Sequence, residues 1–182
     1  MKNTKNKFTK TLNAACKKGD LKTVKFHLKK KTYVNRKYGS NLFPLGGAVV
    51  GGHIEIVKYL LKSGARINMR SKCAWTPLYI AAQRGFTDIA NILIKKNALL
   101  NVLTDRDYNS PNRFTPLHIA CEKGHFEIIK LLVKAGAKIN KKNGDGETPF
   151  DILVKNESYE IACYLALNGG KPAYKRKFVN QM

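Results

Sequence analysis

Four tripeptides recur along the chain at a nearly constant interval: Phe43-Pro44-Leu45, Thr76-Pro77-Leu78, Thr115-Pro116-Leu117 and Thr148-Pro149-Phe150, with prolines 33, 39 and 33 residues apart. A period of that length marks a repeat architecture, in which no unit can bury its apolar face alone and each must stack on its neighbours. Eight residues after the first three prolines stands a glycine (Gly52, Gly85, Gly124), and twenty after all four stands Gly64, Asn97, Gly136 or Gly169. Asparagine recurs at Asn35, Asn68, Asn101 and Asn140. A degenerate copy without the proline turn, LNAACKKGDLKTVKFHLKKKTYVN, precedes them.

Each unit reads as two helices. Proline suits the first helical position, where its missing N–H has no partner to lose, and the preceding threonine can cap that helix. Leu117, Ile119 and Ala120 form a short inner helix ended near Gly124. Ile128, Ile129, Leu131, Leu132 and Val133 then follow helical spacing and stop at Gly136, where a left-handed residue is wanted. Asn97 is the usual substitute there. Gly46 and Gly47 inside the second inner helix should cost on the order of 1 kcal/mol each relative to alanine, unless close packing compensates.

The segments GHIEIVKYLLKSGARIN and RFTPLHIACEKGHFEIIKLLVKAGAKIN resemble the ankyrin repeat nearly residue for residue, and the likeness extends over about residues 11 to 170. It implies an all-α solenoid of stacked helix-turn-helix units joined by β-turn fingers. Repeats are expected at about 11–37, 38–70, 71–103, 110–142 and 143–170, with an insertion near 104–109. A basic extension (1–10) and a basic tail (171–182) flank them. The resemblance also implies a protein–protein interaction module and not an enzyme, with no cofactor. Small proteins of this kind include adaptors, inhibitors and host-directed factors.

In this family the fingers and the exposed side of the inner helices make a concave binding surface. The residue two before each proline is Leu42, Trp75, Phe114 or Glu147, which places three large apolar groups in one row. Before the end of each inner helix come Lys17-Lys18, Val50-Gly51, Gln83-Arg84, Glu122-Lys123 and Lys155-Asn156. Leu42, Trp75, Arg84, Phe114 and Lys123 are therefore expected to contact a partner, joined by Tyr108 in the insertion VLTDRDYNSPNR, whose tip is expected to carry Asp105, Asp107 and Tyr108. An apolar centre flanked by cations suits an acidic or mixed acidic–apolar protein.

Charge supplies a competing expectation. The chain carries a formal +22, and residues 1 to 37 hold thirteen Lys or Arg against the single acid Asp20. Lys17, Lys18, Lys22, Lys25 and Lys29 would then attract nucleic acid or an anionic membrane surface non-specifically.

Other residue patterns exclude chemistry. His53 and His125 recur at one register with a glutamate two residues on, but stacking would hold them on separate layers, too far apart for a metal. His118 is the histidine that the resemblance makes a hydrogen-bonding structural group, and His27 takes the place of Leu60, as a partly buried cap residue. Cys16, Cys73, Cys121 and Cys163 contain no CxxC pair, which argues against zinc and for a reducing, cytosol-like compartment, export into a host cell remaining compatible. No apolar run reaches the roughly 18 residues of a membrane span, and the opening MKNTKNKFTK has no apolar stretch for a signal peptide. A monomer is expected.

Overall fold

The computed structural model describes residues 12–29, 34–36, 43–105 and 113–173; Leu42 and Tyr108 lie outside them. Among the described residues there are ten helices and no strand. The inner helices are α1 (residues 12–18), α3 (Pro44–Val50), α5 (Pro77–Arg84), α7 (Pro116–Glu122) and α9 (Pro149–Lys155). The outer helices are α2 (Leu21–Lys29), α4 (Ile54–Lys62), α6 (Thr87–Lys95), α8 (Phe126–Lys134) and α10 (Tyr159–Leu167).

The start signals are satisfied chemically. Thr76 Oγ1 accepts the Tyr79 N–H at 3.2 Å. At α9 the exchange is reciprocal: Thr148 Oγ1 accepts the Asp151 N–H, and Asp151 Oδ2 accepts the Thr148 N–H at 2.8 Å. Before α3 stands Phe43, which has no side-chain oxygen, so this helix lacks a side-chain cap. Asp20 serves the proline-less first unit, its Oδ1 accepting the Thr23 N–H at 2.9 Å. The hydrogen bonds from Thr23 hold that carboxyl below its ordinary pKa. Outer helices stop at left-handed residues, with φ of 85° at Gly64 and 61° at Asn97. In the fifth unit Glu157 holds the inner-turn position at φ 57°, a conformation that costs an ordinary residue about 1–2 kcal/mol.

Helices of one kind stack side by side: α3 on α5 on α7 on α9, and α2 on α4 on α6 on α8. Between the layers runs one continuous apolar core from Leu12 to Leu165. Gly47 of α3 belongs to this stacking. A Cβ on Gly47 would meet the Asn13 carbonyl oxygen at 3.3 Å and Cys16 Cβ at 3.7 Å, so its absence lets α3 approach α1 closely. Cys16 and Cys121 fill the core as small apolar groups, and burial pushes the Cys16 thiol up to about 12 and that of Cys121 higher still.

The recurring asparagines tie each unit to the next. Asn35 Oδ1 accepts the Arg66 N–H at 2.7 Å while its Nδ2 donates to the Gly64 carbonyl. Asn68 accepts from Leu99, Asn101 from Lys138 and Asn140 from Lys171, at 2.8 to 2.9 Å. One polar side chain thus satisfies the orphan groups of the turn that follows the next outer helix.

Candidate partner-binding face

The residue pairs that end the inner helices are held from behind by the following unit. His53 Nε2 lies 3.0 Å from the Lys17 carbonyl oxygen, His125 Nε2 3.3 Å from that of Gln83, and Asn156 Nδ2 donates to that of Glu122 at 3.3 Å. A carbonyl only accepts, so in both contacts the histidine Nε2–H is the donor. The third unit has Phe86 at this register, its ring set against Gly52 in place of a hydrogen bond. Recurrence of His53 and His125 was visible in the sequence, but their acceptors are backbone atoms that no residue type reveals.

Gly51 makes the first of these clamps possible. A Cβ there would stand 2.5 Å from both the Lys17 carbonyl oxygen and the His53 ring, and its backbone, at φ −81°, would otherwise accept alanine. Gly51→Ala is therefore expected to cost about 1–3 kcal/mol by overpacking alone. A urea-unfolding midpoint equal to that of the unsubstituted chain would contradict this reading.

The fingers are closed by a common pairing. The Ser71 N–H donates to the Trp75 carbonyl and Ser71 Oγ accepts the Trp75 N–H, both at 3.0 Å. Thr104 and Phe114 make the same two bonds, as do Asn143 and Glu147. The six extra residues of the fourth unit consequently lie between Thr104 and Phe114. Asp105 stands at the neck, 3.4 Å from Arg70, and not at the tip; Asp107 and Tyr108 fall outside the described residues.

This closure corrects the expected apolar row. Phe114 is buried, 5% exposed, because the neck draws it inward and its ring stacks on His118 with centroids 5.7 Å apart. Trp75 is half-buried, packs against the core and stacks on Tyr79 at the same centroid distance. Its indole Nε1 is buried with no hydrogen-bond partner among the described residues. Both rings lie over the residue four positions on, along their own inner helix, and of these two only Trp75 keeps an exposed part for a partner.

The cations fare differently. Arg84 is exposed, and so is Lys123, which pairs with Glu122 at 3.0 Å in a surface bridge of the kind that contributes little. Lys17, Lys18, Lys22, Lys25 and Lys29 are all exposed, but they divide between the end of α1 and the length of α2. Lys25 Nζ sits 5.8 Å from the centroid of Tyr59.

His118 is a structural group. Its Nδ1 takes the Thr115 hydroxyl at 2.7 Å and the Thr115 N–H at 3.3 Å, leaving Nε2–H for the Glu147 carbonyl. Burial leads in pushing its pKa down to about 4. His27 is more deeply placed than its expected role as a partly buried cap, 6% exposed with Phe26 edge-on to it. Among the described residues no group of three or more His, Cys, Asp or Glu could hold a metal ion, and no helix is long and apolar enough to cross a membrane.

With this geometry in place the comparisons are consistent. The family model of ankyrin repeats, in three copies, matches residues 12–104 and 96–176. The chain belongs to the ankyrin-repeat family, whose repeats are protein–protein interaction modules and typically non-enzymatic scaffolds. A comparison with curated proteins found no match.

Proposed function

We propose that the chain recognises an acidic or mixed acidic–apolar protein through the face made by its inner helices and fingers. Arg84 and Lys123 serve as the contact cations and the exposed part of Trp75 as the apolar element. The observation that carries this reading is the clamping of Gln83 and Glu122 by His125 and Asn156, which fixes the backbone beneath Arg84 and Lys123. A surface whose backbone is already ordered loses less conformational entropy on binding.

Reversing charge at both positions, Arg84→Glu with Lys123→Glu, is expected to weaken partner capture at least about tenfold, since like charges across an interface cost several kcal/mol. Both side chains are exposed, so the helical circular dichroism signal should persist. Changing Lys22, Lys25 and Lys29 to Gln should leave capture intact. Capture that survives the double reversal and fails with the α2 variant would move the binding site to the outer helix.

A further inference from the structure

Charge is sorted along the outer helices. Each of the outer helices α4, α6, α8 and α10 carries an acid in its first turn: Glu55, Asp88, Glu127 and Glu160 respectively. The opposite ends of α4, α6 and α8 are cationic, each with a lysine in its last turn, whereas α10 ends on Leu167. From the last residue of α4, α6, α8 and α10 through the six that follow, residues 62–68, 95–101, 134–140 and 167–173 contain no acid. In the middle three units these segments bear Lys62 and Arg66, Lys95 and Lys96, Lys134 and Lys138, all exposed. Lys29 ends α2 at the same register and Lys171 extends the strip in the fifth unit.

Opposed charge at helix ends complements the helix dipole, which accounts for the helical lysines. It does not account for Arg66, Lys138 and Lys171, which stand beyond the helices. Their backbone N–H groups are the ones held by Asn35, Asn101 and Asn140, so the ladder sets these cations in register. Adjacent helices pack at roughly 8–10 Å, which spaces one pair of cations about every 10 Å along a single edge.

The third unit breaks the pattern informatively. Its ladder-held residue is Leu99, 56% exposed, in line with Arg66 and Lys138. An apolar side chain in the middle of a cationic strip gains nothing against a phosphate backbone, which offers it only charge. It gains at a bilayer surface, where buried apolar area and attraction to anionic lipid add. The acidic first turns would be repelled from such a surface, so one edge alone can approach it.

We propose that the finger-side edge of the outer helices, from Lys62 to Lys138 with Leu99 at its centre, docks on an anionic membrane surface. The strip lies along the solenoid and not at its N-terminal end, and it is separate from Arg84 and Lys123, so the two surfaces can be occupied together.

Flotation of the full chain with phosphatidylcholine vesicles, with and without phosphatidylserine, tests this directly. Binding should require phosphatidylserine and fall as salt rises. Arg66→Gln, Lys95→Gln and Lys138→Gln combined should reduce it at least about tenfold. Leu99→Ser should reduce vesicle binding about fivefold while leaving the affinity for duplex DNA unchanged. Arg84→Gln with Lys123→Gln should change neither. Every substitution is at an exposed position, and circular dichroism checks that the helices persist. Equal binding to pure phosphatidylcholine, or a triple variant that binds like the parent, overturns the proposal. So does a Leu99→Ser chain that keeps full vesicle affinity, and if duplex DNA then also binds more tightly than vesicles, the strip is a nucleic-acid surface instead.

Discussion

Acidifying the folded chain from about pH 7 to about pH 4 is expected to lower its unfolding free energy by roughly 3 kcal/mol through His118 alone. In the folded state burial holds this imidazole near 4, against an ordinary value of 6.5. Above 6.5 both states keep the ring neutral and nothing changes. Below it the unfolded chain takes up a proton that the folded chain refuses, so stability declines with pH until the folded ring itself titrates near 4. Beyond burial, the charged ring would meet one further difficulty in place, since a proton on Nδ1 would face the Thr115 N–H that this nitrogen now accepts. His118→Gln should be less stable near neutrality but should show a shallower decline. Urea unfolding of both chains at several pH values measures the difference, and parallel declines would show that the dependence arises elsewhere.

Leu93→Ala should destabilise the fold by about 2–5 kcal/mol. Leu93 is fully buried on α6, the outer helix that packs against both α4 and α8. In a stacked array stability is close to a sum of unit and neighbour-interface contributions, so a cavity in the middle weakens two interfaces at once. Leu167→Ala makes the contrast: that side chain is 87% exposed on α10, and its loss should stay within about 0.5 kcal/mol. Denaturant midpoints for the two variants that fell close together would be incompatible with a core running through α6.

The architecture was legible because its determinants are residue identities at fixed spacing. Proline at the first helical position, threonine before it and a left-handed residue at the outer stop each have one local reason to stand where they do, and the structure uses them so. The apolar row was misread for an equally physical reason. Spacing fixes where Trp75 and Phe114 leave the backbone but not their side-chain torsions, and the torsions are set by what lies four residues on, Tyr79 and His118. The neck partner of Phe114 gave a faint signal as well. Thr104 stands one regular period after Ser71, but the six inserted residues that follow it put Asn143 out of that period, and serine, threonine and asparagine do not read as one recurring residue. The depth of His27 was missed because replacing Leu60 by an ionisable residue suggests an edge, whereas the register keeps the position inside.

The neck between Thr104 and Phe114 has a consequence for how the chain can change. Asn101 reaches Lys138 across 37 residues where its counterparts span 31, and its hydrogen bond is as short as theirs. Lengthening this finger has therefore left the coupling between neighbouring units untouched. Segments of different size and chemistry can be grafted between those two residues with little effect on the stack, since loop closure grows only slowly more costly with length. Selection, or an engineer, can vary recognition at that port while the scaffold's stability is inherited unchanged.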